Sequence, residues 1–183
     1  AHGDGIVTSA SLMVRWPAAR HAAFNAGRVE LGLHIHLGEG ACHGGQWYAR
    51  YERVSLDDPR AVEAEVRFQL DEFQRLTGRM PTHIDSHQHV HLHEPALSVA
   101  RRVADELAVP LRGCAANVRY CGGFYGQSDT GAPCPAAIDV DALIRLLGEL
   151  QPGITELCCH PGEDIQLDST YRCERFQEVE VLC

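Results

Sequence analysis

Histidines are concentrated in one short stretch of this sequence, 82-THIDSHQHVHLHEP-95. Every second position from 83 to 93 is a histidine except position 85, which is Asp85. Imidazole and carboxylate groups are common ligands of divalent metal ions, and histidine also titrates near neutral pH. The stretch therefore has the residue types to hold a metal ion, to exchange a proton with a substrate, or to do both.

These histidines cannot all serve one ion if they lie on a continuous strand. A metal sits about 2.0–2.1 Å from an imidazole nitrogen, whereas residues six apart on a strand are separated by about 20 Å. His83 and His89 therefore cannot share a metal. We expect the chain to leave the sheet near Ser86 or His87 and to enter a helix after Pro95.

Only the residues near that exit can face the mouth of the fold. The candidates for function are Asp85, His87 and His91. Asp85 could bind a metal or accept a hydrogen bond from a metal-bound imidazole. We interpret the remaining histidines of the stretch as structural groups that bind the backbone: His83, His89 and His93. The sequence alone leaves the role of His91 open.

Two further segments carry histidines at the ends of predicted strands. The stretch 32-GLHIHLGEG-40 contains His34 and His36 in a His-x-His pattern, which could add a ligand that the first stretch cannot supply. The stretch 156-ELCCHPGED-164 ends in His160-Pro-Gly. A histidine exposed at a strand end suits a general acid, because its pKa lies near neutrality.

Strands and helices alternate along the chain. The predicted strands are 6–14, 29–37, 109–115 and 154–160. The predicted helices are 17–27, 59–78, 95–107 and 140–150, and residues 38–56 and 122–135 are predicted loops. This order predicts one α/β domain with a mainly parallel sheet, in which sites lie at the C-terminal ends of the strands. The predicted strand ends bring together His34, Asp85, His87, Arg112 and His160.

Composition narrows the possible partners. The net charge is -9, which argues against nucleic acid as a ligand. All 16 basic residues are arginines, so no lysine nucleophile exists. No apolar run approaches the length of a transmembrane helix, so we expect no membrane partner. The eight cysteines lack a Cys-x-x-Cys pair, and we interpret them as reduced thiols of a cytoplasmic protein.

These motifs together resemble the YdjC-like carbohydrate deacetylases, which include the chitooligosaccharide deacetylases. The matching segments are 5-GIVTSASLMV-14, 32-GLHIHL-37, 78-GRMPTHIDSHQHVH-91, 111-LR-112, 156-ELCCHPG-162 and 171-YRCERFQEVEVL-182. The resemblance implies a distorted (β/α) barrel and a divalent ion, Mg²⁺ or Zn²⁺. It implies His34 and His87 as metal ligands and His160 as the proton donor to the leaving amine. Asp85 would orient or polarise its neighbours, and Arg112 would bind substrate.

The implied reaction is hydrolysis of N-acetyl groups on amino-sugar oligosaccharides, and we also expect that the chain can form a homodimer. One departure stands out, because the family's Ala-Asp-Asp-Phe-Gly strand is absent from this sequence. We expect that residues 1–183 are one deacetylase domain that lacks its first strand and helix. The alternatives are another metal-dependent amidohydrolase, or a non-catalytic relative that binds a metal or a glycan. A lysine-bridged amidohydrolase is excluded, because the chain has no lysine.

Overall fold

The computed structural model describes residues 3, 5–43, 45–163 and 171–183. The chain divides into two compact units, which we describe separately. The first unit comprises Thr8–Ala41 and Tyr48–Ala115. The second unit comprises Ala1–Val7, Cys42–Trp47 and Ala116–Cys183.

Strands and helices follow one another along the chain as predicted, with several changed boundaries. The strands are β1 (Ser9–Leu12), β2 (Glu30–Ile35), β3 (Gly38–His43), β4 (Gln46–Glu52), β5 (Ile84–Ser86), β6 (Val118–Cys121) and β7 (Ile154–Leu157). The α-helices are α1 (Ala19–Asn25), α2 (Pro59–Thr77), α3 (Ala96–Leu107), α4 (Val140–Glu149) and α5 (Cys173–Leu182). Short 3-10 helices lie at His87–Leu92 and Pro135–Ala137.

A three-stranded parallel sheet forms the centre of the first unit, in the order β1-β2-β5. In its register, His34 on β2 lies directly opposite Asp85 on β5. An isolated parallel bridge between Ile84 and Leu111 extends the sheet by one more segment. Because all these segments run in the same direction, their C-terminal ends meet at one edge.

Helix α2 confirms the prediction made for residues 59–78. The Asp58 side chain caps its N-terminus by accepting hydrogen bonds from two backbone N–H groups. Gly78 ends it with a left-handed conformation, φ 70°, which glycine adopts without a Cβ penalty. Its apolar residues Val62, Val66, Leu70 and Phe73 are three or four positions apart, so they share one face, which is buried in the core of the first unit.

The histidine stretch leaves the sheet at the predicted place. β5 ends at Ser86, and the 3-10 helix begins at His87. Gln88 and His89 have positive φ values of 50° and 55°, so the strand-like alternation stops there. The Gln88 side chain holds this turn by exchanging two hydrogen bonds, of 2.7 and 2.9 Å, with the backbone of Gly40.

The sequence predictions for residues 38–56 and 109–115 were wrong. Residues 38–56 were predicted as a loop, but β3 and β4 form a two-stranded sheet, and every residue of β4 is exposed. Glycines obscured this sheet, although Trp47, Tyr48 and Tyr51 favour extended backbone. Residues 109–115 form no full strand, since the only pairing recorded there is the bridge at Leu111.

The second unit contains its own two-stranded parallel sheet, β6 with β7. Its small core consists of Phe124, Ile138, Leu143 and Leu182. The Asp139 side chain caps α4 by accepting a hydrogen bond of 2.6 Å from the Ala142 N–H group. β6 and α5 were not predicted, because both are short and their apolar patterns are weak.

The fold is therefore mixed α/β with mainly parallel sheets. The strands of the described residues form one three-stranded and two two-stranded sheets, and they do not close into the distorted barrel that the family resemblance implies. All eight cysteines are free thiols. Among the helices in the described part of the chain, none has the length and apolar character needed to cross a membrane.

Candidate active site

Asp85 lies at the centre of a buried cluster at the edge of the first unit's sheet. Its Oδ1 is 2.7 Å from His34 Nδ1, because the parallel register places the two residues side by side. Its Oδ2 accepts hydrogen bonds from Arg112 Nη2 at 2.7 Å and from Ser11 Oγ at 2.9 Å. Asp85 is only 1% exposed, so both oxygens are satisfied by protein groups rather than by bulk water.

The electrostatics of this cluster favour an ionised Asp85. Burial on its own would raise the pKa of Asp85, but the charges of His34 and Arg112 and the hydrogen bonds from His34 and Ser11 outweigh it. The net result is a pKa lowered to about 2. Asp85 is therefore a carboxylate at neutral pH, and as such it acts as a hydrogen-bond acceptor.

The Asp85 carboxylate also decides which nitrogen of His34 carries a proton. Because an ionised carboxylate only accepts, His34 Nδ1 donates to it, and whenever the ring is neutral its lone pair lies on Nε2. A carboxylate on the far nitrogen is the usual support of a metal-binding histidine. The chemistry of His34 thus fits a metal ligand.

His87, the second predicted ligand, lies next to His34. The ring centroids of the two histidines are 5.9 Å apart, with the planes at 65°. His87 Nε2 is 3.0 Å from a carboxylate oxygen of Glu39, which follows β2 in the sequence Gly-Glu-Gly. The two imidazoles are close enough to fit as two ligands of one ion. Among the described residues, however, no group of three or more His, Cys, Asp or Glu side chains is arranged to hold a metal.

His36 does not extend the ligand set, although it forms a His-x-His pair with His34. Arg53 Nε donates to its Nδ1 at 3.2 Å, and the Tyr51 hydroxyl is 3.0 Å from its Nε2. The buried Gln69 binds both its backbone N–H and its carbonyl, at 2.9 and 2.8 Å. Burial, followed by the charges of Arg53, His87 and His34, lowers the pKa of His36 to about 4. His36 is thus a neutral ring that is held within the protein.

His91, whose role the sequence left open, has a structural position. It is fully buried, its Nε2 donates to the carbonyl of Arg112 at 2.9 Å, and its Nδ1 lies 2.6 Å from the Ser86 hydroxyl. The Arg112 N–H group donates in turn to Ile84 at 2.9 Å. His91 therefore fixes the backbone from which Arg112 reaches Asp85.

His83 has close polar neighbours inside the sheet. Its Nε2 is 3.1 Å from Ser11 Oγ, and its Nδ1 is 3.0 Å from Thr82 Oγ1. The ring lies over Gly32, where an added Cβ would come within 2.3 Å of His83 Nε2. Glycine at position 32 is therefore required for the ring to lie there.

His160 belongs to the second unit, and it contacts four residues of that unit. It follows β7, and its ring makes edge contacts with Tyr125 and Tyr171, each with centroids 5.6 Å away. Its backbone N–H group donates to Glu178, and its carbonyl accepts from Arg175 Nη1 at 3.2 Å. The structure thus joins His34, Asp85, His87 and Arg112 in one cluster of the first unit, and it places His160 against Tyr125, Tyr171, Arg175 and Glu178 in the second unit.

Sequence reasoning missed several residues that contact the predicted ones. Ser11 on β1, Glu39 after β2 and Glu178 on α5 were given no role. Ser11 could have been found from its place on a strand of the same sheet, and Glu39 from its position just after a predicted ligand strand. Glu178 lies in a segment that was noted only for its resemblance to the family, and no spacing rule links it to His160.

Comparison with known proteins identifies the family. The family model described as "YdjC-like protein" matches residues 1–183. The chain belongs to the YdjC-like family. Among relatives of this YdjC-like chain, a protein named carbohydrate deacetylase from Geobacillus stearothermophilus is 32% identical over 100% of the chain and 80% of the relative. One with the same name from Vibrio campbellii is 29% identical over 89% of the chain and 70% of the relative.

A solved structure shares the fold of the YdjC-like chain. It is a crystal structure of a protein from Enterococcus faecalis V583 that is provisionally described as a cellobiose-phosphate cleavage protein. The TM-score is 0.78 at 24% sequence identity, and the match covers 99% of this chain and 81% of the other. At that identity the likeness establishes the fold alone.

Proposed function

We propose that this YdjC-like chain hydrolyses the N-acetyl groups of amino-sugar oligosaccharides, giving acetate and a free amine. The observation that carries the proposal is the buried carboxylate of Asp85, which holds His34 and Arg112 beside His87. The names of its relatives, carbohydrate deacetylases, support the same reaction.

We further propose that the reaction depends on a divalent ion, Mg²⁺ or Zn²⁺, held by His34 and His87. Such an ion, when bound, polarises a carbonyl group and makes a water more acidic. His34 suits this role because Asp85 accepts a hydrogen bond from its Nδ1–H group, which leaves Nε2 for a ligand. His87 suits it because the Glu39 carboxylate, 3.0 Å from its Nε2, can accept a hydrogen bond from one ring nitrogen while the other binds the ion.

The other residues would bind and orient the substrate or move protons. Asp85 keeps His34 in one tautomer and one ring orientation, which is a positioning role. Arg112 is proposed to bind a substrate oxygen, since a guanidinium has five N–H donors and its pairing with Asp85 is compatible with a second contact. His160 is proposed to protonate the departing sugar amine, because an imidazole can donate a proton near neutral pH.

Acetate release tests this proposal directly. The full-length protein would be incubated with N-acetylglucosamine oligomers and added Mg²⁺ or Zn²⁺. We expect acetate release, loss of both bound metal and activity in H34A and H87A, and loss of turnover with retained metal in H160A. If the metal-loaded protein released no acetate, the deacetylase proposal would fail for this substrate. Equal loss of metal and turnover in H160A would refute the role of His160.

A non-catalytic relative that binds a metal or a glycan is the second candidate. The observation that favours it is that the described residues supply two convergent imidazoles but no three-ligand group. The same assay separates the two functions. A protein that binds the oligomers, as measured by calorimetry, but leaves the acetyl groups intact would be a binding protein.

A further inference from the structure

His160 is held on both sides of its peptide by side chains of one helix. Its N–H group donates to Glu178, and its carbonyl accepts from Arg175 Nη1 at 3.2 Å. Arg175 and Glu178 are three residues apart on α5, so both project from the same face of the helix. The backbone of Arg175 also accepts a hydrogen bond of 3.2 Å from Gly162. The segment after β7 is thus fixed to α5 at successive points.

Tyr171 connects Glu178, which binds the His160 backbone, to a second segment. Its hydroxyl donates to the other oxygen of Glu178 and accepts from the Gly126 N–H group at 2.8 Å. Gly126 is buried in a tight place, because an added Cβ would lie 2.7 Å from Ile138 Cδ1. The Glu178 carboxylate therefore links His160 to the 122–135 segment through one hydroxyl.

The His160 ring is positioned by the same set of residues. The rings of Tyr125 and Tyr171 are stacked, with centroids 4.7 Å apart and planes at 11°. Both present contacts to the His160 ring at 5.6 Å, with interplanar angles of 71° and 64°. Tyr171 thus contacts the imidazole with its ring while its hydroxyl binds the carboxylate that holds the His160 backbone.

Glu178 is a fully buried acidic side chain whose two oxygens have two donors. Burial raises the pKa of Glu178, while the hydrogen bonds from Tyr171 and His160 and the charge of Arg175 oppose that effect. A buried carboxyl group is costly to maintain unless its hydrogen bonds are made. Its two oxygens can accept both bonds, whereas a glutamine at this position has only one acceptor oxygen.

We propose that Glu178 is a positioning residue for His160: with Tyr171 and Arg175 it sets the place of the imidazole that protonates the leaving amine. The inference rests on the proposed function and deepens it by naming what holds the acid. A general acid must lie within about 2.6–3.2 Å of the atom that receives its proton. A displacement of about 1 Å can cost about 10²-fold in rate.

The test compares E178Q with E174Q in the full-length, metal-loaded protein. Glu174 is a matched control, because it is a buried glutamate of the same helix that accepts one hydrogen bond from Gln127 at 3.0 Å. For E178Q we expect kcat for acetate release to fall by about 10²-fold, with KM and metal content unchanged. For E174Q we expect kcat close to that of the wild type. Equal kcat values in the two variants would overturn the proposal.

Histidine NMR supplies a readout that does not depend on activity. The ring signals of His160 are assigned in ¹⁵N-histidine-labelled protein by their loss in H160Q. We expect these signals to move in E178Q and to stay in place in E174Q; signals that stay in place in both would overturn the proposal. If the wild type released no acetate, the proposed function would fail, and the His160 signals would still show whether Glu178 holds the ring.

Y171F is the second variant, used if E178Q does not fold. It keeps the aromatic ring beside His160 and removes only the hydroxyl that joins Glu178 to Gly126. We expect a loss of kcat at unchanged KM, together with moved His160 signals. A Y171F protein with wild-type kcat and unmoved signals would refute the proposed linkage.

Discussion

Asp85 is the residue at which three segments of the first unit meet. It receives Ser11 from β1, His34 from β2 and Arg112 from the segment after the bridge at Leu111. If the carboxylate were lost, Ser11, His34 and Arg112 would each lose the group that accepts their hydrogen bond. Leaving a buried charge unpaired costs more than the pair contributes when it is intact, so Asp85 should affect both stability and ligand geometry.

Replacing Asp85 by asparagine tests this. The amide has one acceptor oxygen, so it cannot serve both His34 and Arg112 as the carboxylate does. We expect D85N to lower the free energy of unfolding by about 3–5 kcal/mol and metal affinity by about 10–100-fold. Urea titration and competition with a chelator measure the two effects. D71N, at an exposed position of α2, should change neither; unchanged metal affinity in D85N would contradict the supporting role.

Replacing two histidines of the same stretch should have different effects, on metal binding for His87 and on stability for His91. His87 is partly exposed beside His34, whereas His91 is buried with both ring nitrogens engaged. We expect H87A to lose metal with little change in stability. We expect H91A to unfold more readily by about 2–5 kcal/mol, a cost set by the emptied space and the unsatisfied partners. The metal content and the urea unfolding curve of each variant measure these two effects. Loss of metal in H91A and loss of stability in H87A would contradict the roles given to the two histidines.

Glu178 should give the protein a component of stability that depends on pH. Its folded pKa is raised above 4.5, chiefly by burial, so the folded state binds this proton more tightly than the unfolded state does. The corresponding stabilisation is complete below 4.5 and declines as the pH rises through the folded pKa. We expect the wild type's free energy of unfolding to fall over that interval relative to that of E178Q. If the free energy of unfolding of the wild type instead rose with pH relative to that of E178Q, the prediction would be contradicted. The control variant D71N should show the same pH dependence as the wild type.

At the scale of elements, one glycine of the parallel sheet leaves room for a histidine side chain. The ring of His83 occupies the space over Gly32 and reaches Ser11 on the neighbouring strand. Gly32 and His34 are two residues apart on β2 and therefore lie on the same face, where Gly32 leaves room for the His83 ring. The pairing of strands and the placing of site residues thus depend on the same glycine.

A methyl group at position 32 should disrupt this arrangement. The new Cβ would lie 2.3 Å from His83 Nε2, so we expect G32A to lower the free energy of unfolding by about 1–3 kcal/mol through overpacking. Adding H83A should relieve part of that cost, with a coupling energy of about 0.5–3 kcal/mol in a double-mutant cycle. G148A, in α4 with no atom near the added Cβ, should instead stabilise by about 0.5–1 kcal/mol. Additive effects at positions 32 and 83 would contradict the contact.

Long elements with clear end signals were predictable, and short ones were not. Asp58, Pro59 and Gly78 define α2 almost to the residue, because capping and backbone conformation act locally. β3 and β4 are close in the sequence, but their glycines obscured the strand pattern, whereas the three-residue β5 pairs with β2, which is distant in the sequence. The positive φ values of Gln88 and His89 likewise depend on Gly40, so no local pattern could have revealed them.

At the scale of the whole molecule, charge gives a prediction about binding. The net charge is -9, and an N-acetylated oligosaccharide is neutral, so long-range attraction or repulsion contributes little to their encounter. We expect KM for such an oligomer to change little when the ionic strength rises from well below to well above physiological. Initial rates over a series of salt concentrations measure this. A steep salt dependence would point to a charged substrate.

The candidate site was predictable in outline for the first unit. The rule that parallel strands end at one edge placed His34, Asp85 and Arg112 together before any contact was known. Sequence could not show that Asp85 uses both oxygens, or that His36 and His91 are engaged within the protein, because those facts are matters of side-chain geometry. His160 was found at a strand end, but its partners on α5 were beyond any spacing argument.

The bond between His160 and Glu178 also has a consequence for biosynthesis. The two residues are 18 positions apart, and the histidine is translated first. At about 5–20 residues per second, the ribosome needs on the order of seconds to add the glutamate that holds it. Until then the nascent chain has β7 without its anchor, so the proposed proton donor can reach its working position only after α5 has been synthesised.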